Sequence, residues 1–373
     1  MDSLELTRCL LRFDTVNPPG DEAECAGFLA GVLEAAGLDC ELAPFAPGRA
    51  NLIARLSGTD SGLAPLVLTG HLDTVPLGDA AWARDPFAGE MESGRLYGRG
   101  ASDMKSGVAA MACAAAAVSA RGGLRRGLTL LFTGGEEVGC EGATHLCTAH
   151  AGRLGAASAM IVGEPTANLA VRGHKGALFA RAIAKGVTAH SSTPERGVNA
   201  IYRAARGVRR VETLDLGPAH DAFMGPPTVN VGMIRGGLNA NSVPDHAEFT
   251  IDVRSGPEPS QGDILDKLRR ALGPEIDAAP YSTMPAVLTA EDDPFLRIVA
   301  ARAGEANGRS AEGATAATFF SDASVFQPMF RCPTVILGPG EPATAHQTDE
   351  YCEIGKIGRA QAIYEAVIAD WCG

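Results

Sequence analysis

Histidines and acidic residues follow the ends of four short apolar runs in this sequence. These residues, each given with the run it follows, are His71 (65–70), Glu136 and Glu137 (128–132), Glu164 (159–162) and His346 (333–337). Short apolar runs of this kind are typical of buried strands. Because ligands of α/β proteins bind beyond the carboxyl ends of the strands, we expect these side chains to converge on one crevice.

The residue types at this crevice favour a transition-metal site. Asp103, at the entry to the alanine-rich segment 105–121, adds a further carboxylate to the set. Mixed nitrogen and oxygen ligands suit zinc, cobalt or manganese better than calcium, which prefers oxygen alone. Five ligands exceed the three protein side chains that usually hold one catalytic zinc, whereas two ions sharing a carboxylate would use them all. The alternative for Asp103 is a helix N-cap.

The adjacent pair Glu136-Glu137 and the nearby residue Asp73 are expected to have different tasks. Adjacent side chains on an extended segment point to opposite sides, so one glutamate can bind a metal ion while the other acts as a general base. Asp73, two residues after His71, can accept the second ring N–H of that histidine and fix its tautomer. The alternatives are a solvated acidic turn for the pair and a core histidine paired with a carboxylate for His71.

Strand-like and helix-like segments alternate along most of the chain. The predicted strands are 39–44, 51–57, 65–70, 128–132, 159–162 and 333–337. The predicted helices are 4–13, 22–36, 105–121, 141–149, 294–304 and 355–371. This alternation predicts an α/β fold with a mainly parallel, doubly wound sheet.

The segment 174–288 has a different texture. Its predicted strands are 177–185, 228–234 and 246–254, and its predicted helices are 198–211 and 260–272. Such a mixture suits a small α+β domain with an antiparallel sheet. We therefore predict a catalytic domain formed by 1–173 and 289–373, with 174–288 inserted into it as a second domain.

Length and composition exclude several classes of protein. A chain of 373 residues is too long for one hydrophobic core, and its net charge of −12 argues against nucleic-acid binding. The nine cysteines are scattered without a Cys-x-x-Cys pair, which indicates reduced thiols in a cytoplasmic protein. We expect neither a signal peptide nor a membrane span. The glycine motifs of nucleotide-binding proteins and the serine-hydrolase elbow are absent from the sequence.

Five segments resemble, in order, the motifs of the di-zinc acetylornithine deacetylase / succinyl-diaminopimelate desuccinylase / carboxypeptidase family. They are His71-Leu72-Asp73-Thr74-Val75-Pro76, Gly98-Arg99-Gly100-Ala101-Ser102-Asp103-Met104-Lys105, Glu136-Glu137, Gly163-Glu164-Pro165-Thr166 and Ala345-His346-Gln347-Thr348-Asp349-Glu350-Tyr351. These motifs are jointly specific and extend over nearly the whole chain. The inserted segment also agrees with the resemblance, since family members carry a small lid or dimerisation domain at this place.

The resemblance implies two Zn²⁺ ions, for which Co²⁺ or Mn²⁺ can substitute, held by five side chains. These are His71 and Glu164 at one ion, Glu137 and His346 at the other, and Asp103 bridging both. Glu136 would be the general base, and Asp73 would orient His71. The peptide bond between Asp103 and Met104 is expected to be cis, as it often is in the family.

In the inserted segment, His190 resembles a family histidine that reaches a neighbouring active site and supports the oxyanion. This implies a homodimer formed through the inserted domain. Arg254 resembles an arginine that binds the substrate carboxylate, and Asn241, Gly338 and Gly340 are expected to line the same pocket. The remaining histidines are expected to be structural or surface residues: His145, His150, His174, His220 and His246.

The implied activity is hydrolysis of the amide bond of an N-acyl amino acid, with a hydroxide held between the metal ions and a glutamate base. The motifs are most similar to those of acetylornithine deacetylases, which implies a role in arginine biosynthesis, although Gly135 and Thr348 depart from the family patterns. Desuccinylation, general aminoacylase activity, and dipeptidase or carboxypeptidase activity on short peptides remain alternatives. A catalytically silent binding protein is a further alternative, but such a protein would be expected to lack a ligand or the base.

Overall fold

The computed structural model describes residues 1–219, 221–308 and 316–373. The helices in chain order are α1 (Ser3–Leu11), α2 (Glu22–Ala35), α3 (Lys105–Arg121), α4 (Glu141–Ala149), α5 (Ala151–Leu154), α6 (Ala200–Glu212), α7 (Gln261–Leu272), α8 (Pro294–Asn307), α9 (Ala323–Phe330) and α10 (Ile354–Cys372), with a 3₁₀ turn at Pro194–Arg196. None of these helices is long and apolar enough to cross a membrane.

The strands fall into one large sheet and several smaller ones. In chain order they are β1 (Asp39–Ala46), β2 (Arg49–Leu56), β3 (Leu66–His71), β4 (Met91–Glu92), β5 (Arg95–Tyr97), β6 (Leu128–Thr133), β7 (Ala159–Val162), β8 (Gly173–His174), β9 (Gly176–Lys185), β10 (Ala189–His190), β11 (Thr228–Gly236), β12 (Ser242–Val243), β13 (His246–Ser255), β14 (Ile276–Met284), β15 (Val287–Leu288), β16 (Thr334–Ile336) and β17 (Tyr351–Glu353).

The described residues divide into two compact units. The first contains Met1–Gly173, residues 289–308 and Ser321–Gly373, and the second contains His174–Leu288, apart from residue 220, and Ala316–Phe320. Ala316–Phe320 belongs to the second unit, although the sequence analysis assigned all of 289–373 to the first domain. The carbonyl oxygen of Ala317 accepts the backbone N–H of Lys175 at 2.9 Å. The roles of the two units as catalytic and inserted domains remain a prediction.

The first unit is built on a sheet with the strand order β1-β2-β6-β3-β7-β16. The strands β6, β3, β7 and β16 pair in parallel. β2 is antiparallel to both β1 and β6, so it is the strand of this sheet that runs opposite to the other five. The prediction of an α/β fold with a mainly parallel sheet is therefore confirmed.

Both faces of this sheet are covered, because β3 and β6 are buried at every position. Four of their leucines join one core with the apolar faces of α2, α3 and α10: Leu66, Leu68, Leu128 and Leu130. The alanine-rich composition of α3 lets this helix approach the sheet closely. At Gly107 of α3, a Cβ atom would lie 2.3 Å from the carbonyl oxygen of Gly163, so only glycine permits this contact. The start of α3 is thereby held against the loop that follows β7.

The second unit is an antiparallel sheet with the order β11-β13-β9-β14 and two helices. Alternate residues of β9 and β13 are buried, and they form a core with α6 and α7. This period of two is the pattern expected for a sheet covered on one face. β11 forms one edge, and most of its side chains are exposed. The prediction of an α+β unit with an antiparallel sheet is confirmed.

Among the elements that were not predicted from the sequence are β14, β17 and α9. β14 contains Pro280 and has a register shift between Pro280 and Ser282. A proline is tolerated there because β14 is an edge strand, but its presence argues against a strand when only the sequence is read. α9 likewise contains an internal proline, Pro328. β17 has only three residues and is a strand because it pairs with β5.

Candidate metal centre and active site

The five predicted ligands come from separate segments of the first unit. His71 is the last residue of β3, and Glu164 lies two residues beyond the end of β7. Asp103 lies two residues before α3, and Glu137 follows the end of β6. His346 lies in the connection between β16 and β17. Strand ends and one helix start therefore deliver side chains to one edge of the sheet, where ligands of α/β proteins bind.

The first ligand group consists of His71, Asp103 and Glu164, and we refer to it as the buried half-site. The His71 Nε2 atom lies 3.1 Å from Asp103 Oδ1 and 3.8 Å from Glu164 Oε1. The side chain of His71 is only 1% exposed. One donor atom from each residue lies within 4.8 Å of the other two, which is close enough for all three to bind one ion.

The second ligand group consists of Asp103, Glu137 and His346, and we refer to it as the exposed half-site. The His346 Nε2 atom lies 3.3 Å from Asp103 Oδ2 and 3.2 Å from Glu137 Oε1. The side chain of His346 is 51% exposed. Asp103 contributes Oδ1 to one half-site and Oδ2 to the other. A single carboxylate placed in this way can bridge two ions.

The electrostatics of both half-sites favour bound cations. Burial opposes the charge on Asp103, but hydrogen bonds with His346 and His71 hold its pKa below the usual range. Hydrogen bonds to Asp103 and Glu137 raise the pKa of His346 to about 10. Burial raises the pKa of Glu164. Burial makes these carboxylates costly to ionise without positive charge beside them, and bound cations would supply that charge.

This donor set fits two divalent transition-metal ions. It offers imidazole nitrogens and carboxylate oxygens, the ligands that zinc, cobalt and manganese share. Each half-site provides one histidine and one carboxylate of its own, together with the shared Asp103. The Asp103–Met104 peptide bond is cis, as the family resemblance implied.

Asp73 contacts the backbone of the glutamate pair. Its carboxylate accepts the backbone N–H of Glu136 at 3.1 Å and that of Glu137 at 3.2 Å, and it accepts the Asn17 side-chain amide at 2.9 Å. The Nδ1 atom of His71 lies 2.9 Å from the backbone carbonyl of Asp73 and 3.6 Å from its carboxylate. The carbonyl therefore receives the Nδ1–H, which leaves Nε2 free to bind a metal ion.

Glu136 is buried beside the half-sites without joining either ligand group. Burial raises its pKa well above the ordinary value, although His71 opposes this shift. The Cys140 thiol lies 4.0 Å from its Oε1 atom. Asp322 is a further buried acid in this region, and it accepts a hydrogen bond from the Thr133 hydroxyl. Burial raises the pKa of Asp322 to about 6.

The predicted site residues of the second unit are His190, Asn241 and Arg254. His190 is exposed on β10, and its Nδ1 atom accepts the backbone N–H of Ser192 at 3.1 Å. A neutral His190 must therefore carry its proton on Nε2, where it can donate a hydrogen bond. The carbonyl of Asn241 accepts the backbone N–H of Ser191 at 3.1 Å, so Asn241 lies next to this turn.

Arg254 lies near the end of β13. Its guanidinium group makes two hydrogen bonds to Asp252, at 2.9 and 3.3 Å. It also packs over the rings of Phe179 and Phe320, with centroid distances of 5.2 and 5.5 Å. These contacts hold the guanidinium group in one orientation.

Gly338 and Gly340 are buried in the first unit, where they permit close backbone contacts. A Cβ atom at Gly338 would lie 2.1 Å from the Gly163 carbonyl, and one at Gly340 would lie 2.1 Å from the Ser102 carbonyl. These glycines therefore bring their loop against the segments that carry Glu164 and Asp103. Whether they also contact substrate remains a prediction.

Several residues of this region received no role from the sequence. Asn17 and Asp322 lie outside the five quoted segments, so nothing in the sequence linked them to the centre. Glu350 lies within the last quoted segment, four residues after His346, and an acidic residue at that position was the signal in the sequence that could have been followed. Among the other histidines, His174 is buried, whereas His220 lies outside the described residues.

Fold and site together define a class: an α/β protein with two overlapping ligand groups for metal ions and a buried glutamate beside them. The chain belongs to peptidase family M20/M25/M40, whose model matches residues 67–370. Sequence comparison agrees with this assignment. The chain is 36% identical to an acetylornithine deacetylase of Myxococcus xanthus, over 91% of this chain and 90% of that protein. It is 30% identical to an acetylornithine deacetylase of Salmonella paratyphi B, over 99% and 97%.

Solved structures share the fold over nearly their whole length. An M20 family metallo-carboxypeptidase of Sulfolobus solfataricus superposes with a TM-score of 0.82 at 20% identity, covering 99% of both chains. A tripeptidase of Staphylococcus aureus gives a TM-score of 0.77 at 25% identity, covering 98% of this chain and 96% of that one. A dinuclear metal-binding M20 peptidase of Bacillus subtilis gives 0.73 at 16% identity, covering 99% and 97%. The family resemblance is confirmed, and the protein is a metal-dependent amidohydrolase.

Proposed function

We propose that this protein removes the acetyl group from N-acetyl-L-ornithine, or from a closely similar N-acyl amino acid, in arginine biosynthesis. The observation that carries the chemistry is the sharing of Asp103 between two ligand groups beside the buried Glu136. The similarity to acetylornithine deacetylases over nearly the whole chain supports the choice of substrate. An N-acyl amino acid or short peptide is also the size of substrate expected for this family.

We assign the two half-sites to two Zn²⁺ ions, with Co²⁺ or Mn²⁺ as possible replacements. His71 and Glu164 would hold one ion, Glu137 and His346 the other, and Asp103 both. Bound there, the ions would lower the pKa of a water molecule and polarise the amide carbonyl group. The His71 Nδ1–H bond to the Asp73 carbonyl supports this assignment, since it leaves Nε2 as the ligand atom.

Glu136 is assigned the proton transfer. Its carboxylate would accept a proton from the attacking water and donate it to the amide nitrogen as the bond between carbonyl carbon and nitrogen breaks. Burial raises its pKa above the ordinary value of a glutamate, and a raised pKa helps the carboxylate to hold the proton between these two steps. Asp73 supports this task because it holds the backbone N–H groups of Glu136 and Glu137.

The second unit is assigned to substrate recognition and oxyanion support. His190 is exposed and can donate from Nε2, which suits stabilisation of a developing oxyanion. We propose that it acts in the active site of a neighbouring subunit, as the family resemblance implies. Arg254, held between two phenylalanine rings, is assigned to the substrate carboxylate, with Asn241 near the same pocket.

The substrate assignment is tested with a panel of amides and the zinc- or cobalt-loaded protein. The panel contains N-acetyl-L-ornithine, N-succinyl-diaminopimelate, N-acetyl-L-methionine and an alanine dipeptide, and the released amine is measured. We expect kcat/KM for N-acetyl-L-ornithine to exceed each of the others by at least about tenfold, or ~1.4 kcal/mol of transition-state binding. The Glu136→Gln variant, prepared identically, measures any background from contaminating enzymes.

Each other outcome identifies a different function. Fastest cleavage of the succinyl substrate would indicate a desuccinylase, and fastest cleavage of the dipeptide would indicate a peptidase. Equal rates on the acetylated amino acids would indicate a general aminoacylase. No hydrolysis of any substrate, together with no metal bound after zinc loading, would indicate a binding protein and overturn the proposal.

We also propose that the protein is a homodimer formed through the second unit. β11 is an edge strand with exposed apolar side chains, including Met233 and Ile234, which are 48% and 53% exposed. Ile201 and Tyr202 on α6 are exposed as well. Edge strands pair readily with another chain, and a second copy would cover these side chains.

Sedimentation of the Ile234→Lys variant tests the dimer. A lysine on the edge strand is expected to shift the protein from dimer to monomer. Met91→Lys is the matched control, because Met91 is a similarly exposed apolar residue (47%) in the first unit. A wild-type monomer, or equal effects of both substitutions, would contradict the proposed interface.

The nine free cysteines further support a cytoplasmic location, where thiols remain reduced.

A further inference from the structure

We propose that Glu350 is a positioning residue for the metal centre, which fixes the backbone that presents Asp103 and joins it to the segment that carries His346. This inference rests on the proposed two-metal centre. Glu350 binds neither half-site directly in the described contacts; it acts through the backbone of the Asp103 loop.

Both carboxylate oxygens of Glu350 are fully used. Oε1 accepts the backbone N–H groups of Ser102 and Asp103 at 2.7 and 2.9 Å. Oε2 accepts the backbone N–H of Gly100 at 3.0 Å and a guanidinium N–H of Arg99 at 2.7 Å. Three of the four donors are therefore backbone groups of one short segment that ends at the shared ligand. A carboxylate is the side chain best suited to bind several N–H groups at once.

Arg99 stabilises the buried negative charge of Glu350. The side chains of Arg99 and Glu350 are 1% and 0% exposed, so neither charge is solvated by water. Arg99 is held in turn by the Pro76 carbonyl at 3.2 Å and by the ring of Trp82, whose centroid lies 5.1 Å from its guanidinium carbon. A buried carboxylate without such partners would be protonated or displaced.

Glu350 also connects two parts of the centre that are distant in the sequence. It lies four residues after His346 and immediately before β17, which pairs with β5. Its own carbonyl accepts the backbone N–H of Gly98 at 3.0 Å. Any displacement of Glu350 would therefore alter the distance between Asp103 and His346, which are both members of the exposed half-site.

The test is cobalt binding by the full-length Glu350→Gln variant. Glutamine keeps the shape of the side chain, but its N–H₂ group replaces one of the two oxygens that accept N–H donors. Two of the four hydrogen bonds are then lost, so the backbone at Asp103 should move from its present position. Residues that orient metal ligands typically change metal affinity by roughly 10–100-fold when replaced. We expect the Co²⁺ affinity of the variant to be lower than that of the wild type by a factor in this range. The visible spectrum of the second bound ion should also change. In the amide assay, kcat should fall while KM changes little.

Glu22→Gln is the matched control. Glu22 is also buried and paired with a buried arginine, Arg49, at 2.6 Å, but its carboxylate accepts its described hydrogen bonds from that arginine alone. Breaking this pair should lower thermal stability without changing the cobalt affinity or spectrum. A purely structural role for Glu350 would produce the same result in both variants.

The outcomes separate the two proposals. If the wild-type protein does not bind two equivalents of Co²⁺, the metal centre itself is overturned. If it does, and Glu350→Gln matches Glu22→Gln in cobalt affinity and spectrum, the positioning role is overturned. Should Glu350→Gln fail to fold, Glu350→Asp retains the charge but withdraws it by one methylene group. Unchanged cobalt binding by that variant would equally contradict the inference.

Discussion

The buried and exposed half-sites share Asp103 but are built in different ways. The buried half-site uses His71, the last residue of a central strand, and Glu164, two residues beyond another. The exposed half-site uses His346, from a connection between strands, where its backbone has a φ of 63°. The side chains of the two histidines are 1% and 51% exposed, respectively. One half-site thus depends on the sheet, and the other depends on the segments packed beside it.

Because of this difference, substitutions in the two half-sites should have different effects on metal binding and on the stability of the fold. Changes in the buried half-site should affect both the metal ion and the stability of the fold, because buried polar groups cannot exchange protein partners for water. Replacement of the half-exposed His346 should affect mainly the metal ion. Asp103, Asp73 and the glutamate pair connect the halves, so they offer the strongest tests of the comparison.

Replacement of Asp103 by alanine should have the largest effect, because it removes a ligand from both half-sites. If each ion supplies about 4 kcal/mol of transition-state stabilisation, loss of both lowers kcat/KM by roughly 10⁶-fold. Elemental analysis should find less than one tightly bound ion per chain. Retention of two ions with wild-type affinity would show that Asp103 is not shared.

Replacement of Glu136 by glutamine should come next, with a loss of about 10²–10⁴-fold in kcat, the usual contribution of a general base. Both metal ions should remain bound, since Glu136 belongs to neither ligand group. Glu137→Gln is the matched variant of the adjacent residue, and it should release the ion of the exposed half-site. Near wild-type turnover by Glu136→Gln would mean that the base is assigned wrongly.

Replacement of Asp73 by asparagine should have a smaller effect, roughly 10–100-fold in kcat, as is usual for residues that position metal-site groups. The new amide would face the backbone N–H groups of Glu136 and Glu137, which now donate to the carboxylate. Cobalt spectra should show a change at the exposed half-site, because Glu137 belongs to it. A change confined to the buried half-site would instead support a role of the Asp73 side chain toward His71.

The smallest effect is expected in the stability of the metal-free His346→Ala variant. Because this side chain is half exposed, water can replace part of its hydrogen bonding to Asp103 and Glu137, so its loss should lower the free energy of unfolding by about 1 kcal/mol or less. His71→Ala removes a buried partner of Asp103 and should lower stability by about 1–3 kcal/mol. Urea denaturation of both metal-free variants measures the difference. Equal values would show that burial does not distinguish the half-sites.

Local sequence patterns predicted most elements of the fold that bury regular apolar faces. The strand at β7 and the helices α3 and α4 have the bounds that were expected, since each has a strong pattern and a clear end. β14 and α9 were missed because each contains a proline that its tertiary setting tolerates. β4, β5 and β17 are too short to have a pattern, and they exist only through their pairing with one another.

By itself, the sequence determined the composition of the centre: two histidines, the carboxylates and a glutamate pair, at the ends of apolar runs that must become adjacent strands. Only the tertiary structure decided how these groups share the space. It placed Oδ1 and Oδ2 of Asp103 toward different histidines, and it surrounded the Glu350 carboxylate with four donors. The physical reason is that a buried carboxylate is stable only where several donors converge, and those donors lie about 250 positions away in the chain.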